Sequence, residues 1–361
     1  MSAPKGWIAC AGTATQSRLS LLGAREIPAQ LETGSLALEV TLPRGTYGAR
    51  PILHHGSREN GMRMITLHLS LDGRLILTQI VGEHRQSLSL DAADGLANGG
   101  CLRVTYRWSA AQSLLTLEVP DAGLIRQRAG AGVPALSRDD LIALLSPAAQ
   151  GPGLDWIAIG NHAQPVGPAA CFSPSTPILT PTGNRSAATI KAGDWVETAD
   201  AGPQEVLWSG RVDWPAFGSF APVRLSAPAF GQTRDLWLLP AHRIAASGPS
   251  IEYHMGRDEV LIEVRHLIDG CSARQSPASR VLSWHGILLR KHHLLIADGC
   301  QIESLYTGGL GLAPDLMKTT ALAPVTGKLP VQRPLILREL SRAEEMTLAS
   351  VRAQARGPIA A

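Results

Sequence analysis

Apolar residues at every second position limit most tightly what this chain can fold into. From Ser35 to Leu42 they fall at Leu36, Leu38, Val40 and Leu42, and from Met64 to Leu71 at Ile65, Leu67, Leu69 and Leu71. A period of two puts one apolar face on a pleated strand, whereas a helix would scatter these residues around its axis. Leu102, Val104, Tyr106 and Trp108 share one strand face, and Leu115, Leu117 and Val119 share another. Asp72-Gly73 predicts a hairpin turn into Arg74–Thr78, and Trp156–Gly160 reads as a last strand returning to the sheet. Helical periodicity is scarce, while 36 Gly and 25 Pro supply many turns. Residues 1–163 are therefore expected to form an antiparallel β-sandwich, and the chain as a whole to be mainly β. One short helix is expected at Leu141–Leu145, capped by Ser137 with Asp140 three residues on.

A length of 361 residues predicts two domains. The boundary is expected at residues 164–170, Gln164-Pro165-Val166-Gly167-Pro168-Ala169-Ala170, a short extended connector. Hydrophobic content of 45% against 17% charged residues predicts a globular chain and not a disordered one. The net charge is +3, and residues 311–361 hold seven Lys/Arg against four acids, which accounts for the whole excess. A near-neutral body gives no support to a nucleic-acid partner. That tail is read as basic and, from its charge, solvated, with one helix from Arg342 to about Gln354, capped by Ser341 and Glu344, that docks on the body or stays mobile. No apolar run is long enough to span a bilayer, and the first sixteen residues lack the apolar core of a signal peptide. Cytoplasmic residence, or export without an N-terminal signal, is the expectation. The five Cys (10, 101, 171, 271 and 300) form no CxxC pair, so neither a metal nor a cofactor is expected.

Cys171 opens the second half, in the run Cys171-Phe172-Ser173-Pro174-Ser175-Thr176-Pro177-Ile178-Leu179-Thr180-Pro181-Thr182-Gly183. A thiol that opens a domain can attack the carbonyl just upstream, here that of Ala170. The Ala170–Cys171 amide would then become a thioester. Taken alone, such a Cys reads as a buried strand residue. An amide is resonance-stabilised, so the exchange needs a group to polarise the bond and protonate the departing nitrogen.

Three segments supply company for Cys171. The first is its own run with Ile190-Lys191-Ala192-Gly193-Asp194-Trp195-Val196-Glu197-Thr198. The second is Asp235 to Ile244, containing Pro240-Ala241-His242. The third runs from Val281 to Leu305, with His292-His293-Leu294-Leu295-Ile296-Ala297-Asp298-Gly299 and then Glu303-Ser304. Over about residues 171–308, within a second domain expected at 171–310, this order resembles the Hint family, the self-processing domains of Hedgehog proteins and inteins, and most of all its bacterial members. The resemblance implies a horseshoe-shaped β fold with Cys171 and His242 meeting at its centre. It implies Cys171 as nucleophile, His242 as proton donor to the leaving amine, His292 as a supporting catalytic residue and Ala170 as the cleavage junction. Thr176 and Asp298 are further candidates for support; Asp298 also reads as the turn residue of Ala297-Asp298-Gly299. The sequence departs from the family at Leu239, where a Ser or Thr is usual, at Ser175, usually Gly, and at Gly286, commonly His. His285 is adjacent but points to the other strand face.

Intein-type splicing ends on a His-Asn pair whose Asn cyclises. The four Asn here are residues 60, 98, 161 and 184, and none lies in the later part of the Hint-like region or beyond it. Processing is therefore expected to stop at N-terminal cleavage or acyl transfer, with the protein's own N-terminal segment as substrate. Nothing in the sequence indicates the sterol acceptor of Hedgehog proteins. The strand order of residues 30–162, with Ser-Leu-Asp-Gly-Arg in its middle, resembles concanavalin-like or laminin-G lectin sandwiches and implies a glycan or protein ligand. No Asp/Asn cluster suited to calcium accompanies it. His54-His55 reads as a loop or strand-end pair, and Arg103, Arg107 and Glu83 as solvent-face charges. The alternatives are a binding or structural protein on an inactive Hint scaffold, or a thiol hydrolase acting on other proteins.

Overall fold

In the computed structural model the described residues are all but 1–4, 13–18, 23–25, 44–47, 59–60, 94–98, 169–170, 326–328, 334, 341–343, 345–346 and 348–361. The chain divides into two compact units. One comprises Met1–Gly167 with Pro215–Gly218 and Ala278–Val281, and the other Pro168–Trp214, Ser219–Pro277 and Leu282–Ala361.

The first unit is antiparallel β. Its strands are β1 (Trp7–Gly12), β2 (Ser20–Leu21), β3 (Gln30–Leu31), β4 (Gly34–Leu42), β5 (Arg50–Ser57), β6 (Arg63–Leu69) and β7 (Arg74–Val81). They continue with β8 (His84–Asp91), β9 (Gly100–Trp108), β10 (Gln112–Val119), β11 (Leu124–Ala131), β12 (Leu136–Ser137) and β13 (Leu154–Gly160). A seven-stranded sheet runs β11-β10-β9-β4-β13-β1-β2 and a four-stranded sheet β5-β6-β7-β8. Leu38, Val104, Leu115 and Ile157 of the first share one core with Ile52, Leu67, Leu75 and Leu77 of the second. These are the alternating residues of the sequence, so the expected sandwich is observed.

Differences in detail have local causes. The strand predicted to reach Leu71 ends at Leu69, because the Ser70 hydroxyl accepts from Arg74 N (3.0 Å) and starts the turn. Helix α1 is Arg138–Leu145, longer than predicted, because Ser137 and Asp140 form a full capping box that starts it at Arg138. His54 and His55 lie within β5 and not in a loop, and His55 Nε2 sits 3.3 Å from Asp140 Oδ1. Arg103 is not a solvent-face charge. It is buried, with Nε donating to Glu39 Oε1 (3.0 Å) and Nη1 3.6 Å from Glu118 Oε2. The register Glu39↔Arg103↔Glu118 across β4, β9 and β10 sets these charges side by side. Gln164 and Val166, expected in the connector, are buried, and Gly167 N donates to Glu118 Oε1 (3.0 Å).

The second unit holds β14 (Pro177–Thr180), β15 (Gly183–Ser186), β16 (Trp195–Thr198), most of β17 (Gly202–Ala216), β18 (Val223–Leu225) and β19 (Leu236–Leu238). Next come β20 (Arg243–Ser247), helix α2 (Pro249–Met255), β21 (Glu259–Glu263) and β22 (Ala273–Gln275). The last strands are most of β23 (Ala278–Leu289), β24 (Leu294–Ala297) and β25 (Cys300–Glu303), before helix α3 (Pro314–Met317). The larger sheet orders β21-β20-β25-β24-β16-β17-β23, and β19-β18-β22 form a smaller one. Ile244, Leu295 and Ile302 meet in register at the centre of the larger sheet and are buried.

The segment after residue 310 is not the solvated tail that was expected. Leu322 and Leu329 pack with Leu288, Leu305 and Leu310, and Leu340 joins the main core of the unit. The predicted helix from Arg342 to about Gln354 lies outside the described residues apart from Glu344 and Thr347. Among the described residues, no helix is long and apolar enough to cross a membrane.

Candidate functional site

Cys171 is held by its backbone on both sides. Its N–H donates to His285 O (2.7 Å), and its carbonyl accepts from Leu239 N (2.8 Å). Phe172 continues the pairing, donating to and accepting from His285, and bridges Leu238 as well. The Cys171-Phe172 dipeptide is thus an isolated rung between β19 and β23. Leu239, which stands where the family usually has a Ser or Thr, contributes its backbone N–H to this pairing whatever its side chain.

A cavity of about 160 Å³ opens beside this rung. Cys171, Phe172, His242, Arg243, Glu303 and Tyr306 line it, with Gly286 on the β23 wall. His285 does not line it, which follows from strand alternation at Gly286. Ala170, the expected junction, lies outside the described residues.

His242 follows a tight turn closed by its own N–H on Leu239 O (3.0 Å) and stands just before β20. It is 1% exposed, and neither ring nitrogen has a hydrogen-bond partner. Nδ1 lies 3.7 Å from Glu303 Oε1, and the ring meets Phe172 edge-on at 5.9 Å. Burial pushes its pKa down to about 4, against the opposing pull of Glu303. The imidazole is therefore neutral at pH 7 and able to accept a proton. Burial likewise drives the Cys171 thiol far above its ordinary value. Glu303 adds to this and Arg243 opposes it. A thiol so shifted does not ionise unaided, and it needs a base.

Glu303, on β25, organises the site. Its two oxygens accept from Arg243 N (2.8 Å) and Arg243 Nε (2.8 Å), and Oε2 lies 3.2 Å from His292 Nε2. Burial raises its pKa, but the hydrogen bond from His292 and the Arg243 charge outweigh this and hold the carboxyl below its ordinary value. The group is an ionised carboxylate beside the buried His242 ring. Arg243 also reaches Glu339 Oε2 (2.7 Å) and lies 5.4 Å from the Tyr306 ring centre. Sequence reasoning noted Glu303 and Arg243 only as parts of matching segments. Their one sequence signal was adjacency, Arg243 to His242 and Glu303 to Ser304.

The remaining candidates fall elsewhere. His292 does not line the cavity and stands behind Glu303. Thr176 is buried in the turn before β14, away from the cavity lining, and its hydroxyl has no hydrogen-bond partner. Asp298 is not part of the cavity lining. It takes φ 52° in the β24–β25 turn, and its Oδ2 accepts from Thr233 N, Thr233 Oγ1 and Arg234 N at 2.8–2.9 Å. Such a carboxylate pins a loop, and these hydrogen bonds outweigh burial and lower its pKa. Among the described residues no group of three or more His, Cys, Asp or Glu is placed to hold a metal ion.

The His242 shift has a measurable consequence. Its folded pKa lies below the ordinary histidine value, so unfolding takes up a proton between about pH 6.5 and about pH 4. Stability should therefore fall as the pH drops through that window, by about 3 kcal/mol at full extent. Urea melts of the Cys171→Ala chain across this range, beside a Cys171→Ala chain that also carries His242→Phe, would check it. The double variant should show a shallower acid slope.

Residues 170–309 match the family model described as Hint domain. A bacterial intein-like domain from Clostridium thermocellum is 14% identical, covering 37% of this chain and 97% of its own, with a TM-score of 0.28. The MchDnaB-1 intein is 16% identical over 37% of this chain and 98% of its own, with a TM-score of 0.27. The CBM40 of a Ruminococcus gnavus IT-sialidase, bound to α2,6 sialyllactose, is 15% identical over 37% of this chain and 78% of its own, at 0.25. These scores are too low to add to the family match. No curated protein matches the chain. The segment that carries Cys171, His242 and Glu303, from residue 170 to residue 309, is thus the part of the chain that is similar to Hint domains.

Proposed function

We propose that this is a self-processing protein that cleaves its own chain once, at Ala170–Cys171. His242 takes the proton from the Cys171 thiol. The sulfur then attacks the Ala170 carbonyl, and the tetrahedral adduct collapses with loss of the Cys171 nitrogen. The imidazolium, stabilised by Glu303, returns the proton to that nitrogen. The products of this step are a thioester at Ala170 and a free amine on Cys171. Water or a small thiol or amine then takes the acyl group and releases residues 1–170. The reading is carried by one observation: Cys171 shares a cavity with a buried neutral histidine backed by an ionised carboxylate. The His285 carbonyl 2.7 Å from Cys171 N would remain an acceptor for the new amine.

A non-cleaving Hint scaffold is the second reading. The apolar Leu239 side chain favours it, since it offers no hydroxyl to hold the scissile amide. Intact mass of the 38.3 kDa chain at neutral pH, with and without a small thiol, separates the two. Self-processing yields two fragments, the N-terminal one ending as a carboxylate in water and as a thioester adduct with the thiol. A chain that stays whole under both conditions is the scaffold.

A further inference from the structure

Beyond the segment 170–309 that matches the family, residues 329–333 and 335–340 run back along the second unit and are tied to it throughout. The Gln332 side chain is buried, with Oε1 accepting from Thr307 N (2.8 Å) and Nε2 donating to Leu289 O (3.0 Å). At the far end Leu261 N donates to Arg338 O (2.9 Å) and Leu340 N to Leu261 O (3.3 Å), so the segment lies parallel to the edge strand β21. Between these anchors come two polar contacts. Ile336 N–H donates to Nδ1 of His292 (3.2 Å), and Glu339 Oε2 accepts from Arg243 Nη1 (2.7 Å). His292 and Arg243 are the two residues that hydrogen-bond Glu303.

We propose that residues 335–340 form a positioning strap of the candidate site, in which the Ile336 N–H sets the tautomer of His292 and Glu339 orients Arg243, so that Glu303 stays aimed at His242. A backbone N–H only donates, so Nδ1 of His292 must present its lone pair, and the ring proton sits on Nε2. That proton points at Glu303 Oε2. With the other tautomer, Nε2 would turn a lone pair on the carboxylate, and the Ile336 N–H would face another N–H. Glu303 would lose a donor and turn from the position in which Oε1 faces His242. Arg243 is held at Nε and Nη2 by Glu303 and at Nη1 by Glu339, which fixes the plane of its guanidinium. The Glu339 side chain is 42% exposed, so its share is orientation more than energy. Ile336 and Glu339 touch no reacting atom and act through His292 and Arg243.

The effect on cleavage rests on the function proposed above, but the tautomer does not, and the experiment reads both. Long-range ¹⁵N NMR of the full Cys171→Ala chain at neutral pH should show His292 protonated on Nε2 alone. Protonation on Nδ1 would overturn the strap, whether or not the native chain cleaves. In the cleaving chain, Ile336→Pro removes the N–H, whereas Ile336→Ala keeps it and trims only the side chain. Ile336→Pro should slow cleavage about tenfold or more while Ile336→Ala stays within about twofold. In the Cys171→Ala chain, Ile336→Pro should lose the single tautomer and Ile336→Ala should retain it. Equal slowing by the two variants, or an unchanged His292 spectrum in Ile336→Pro, would overturn the assigned role.

Discussion

Cys171→Ala is expected to leave a single chain of full mass under conditions in which the native protein gives two fragments. The effect is total because the Sγ atom is the nucleophile of the proposed reaction and the cavity lining contains no other cysteine. Cys10 and Cys300 are buried away from the cavity lining, so neither is placed to substitute. The fold should hardly notice. The backbone bonds to His285 and Leu239 do not involve the side chain, and removing one half-buried sulfur should cost about 1 kcal/mol or less. Cys171→Ser keeps an attacking atom but a poorer one, and should cleave far more slowly without losing stability. Intact mass beside a thermal melt tests both halves. Fragments from the Ala variant would remove Cys171 from the chemistry.

Glu303 should show the opposite pattern, with fold and chemistry failing together. Glu303→Ala leaves the Arg243 guanidinium without its main partner and His292 Nε2 without an acceptor. Breaking such a buried pair costs about 3 kcal/mol, at the lower end of the usual range because Glu339 still holds Arg243. Glu303→Gln keeps the shape and removes the charge. It should slow cleavage about a hundredfold, since nothing then stabilises the imidazolium of His242. The acid behaviour follows from the same residue. The folded pKa of Glu303 is depressed, so its stabilisation is complete above the ordinary carboxylate range and fades as pH falls through the lowered folded value. The His242 contribution erodes in the same direction, beginning nearer pH 6.5. Urea melts from about pH 7 to about pH 3 should therefore show a loss in two stages, and Glu303→Gln should remove the later one. A variant as stable and as acid-sensitive as the native chain would show that Glu303 carries no such charge.

Much of the fold was legible because alternation is a local property. Leu36, Leu38 and Val40 declare a strand without reference to anything distant, and Ser137 with Asp140 declares a helix start within four residues. Arg103 was misread for the complementary reason. Its burial depends on Glu39 and Glu118, 64 residues before it and 15 after it in the chain, and only strand register makes them neighbours. Leu71 was misread because a side-chain bond at Ser70 ended the strand where the apolar pattern continued.

The candidate site divides along the same line. The sequence by itself determined that a cysteine opens the second half, that a Pro-x-His and a late His-rich segment follow it in order, and that no asparagine stands where splicing would need one. Those are facts of identity and spacing. Only the tertiary structure decided which of these residues meet. It placed His242 in the cavity and His292 behind Glu303, turned Asp298 into a loop clasp, and brought the Glu303 and Glu339 carboxylates onto the one Arg243 guanidinium, the latter across 96 residues of chain. Burial decided the protonation states, since the same imidazole and thiol would titrate ordinarily in water. A sequence names the groups that can carry charge, whereas which of them lose their water, and to which partner, is settled when the strands pack.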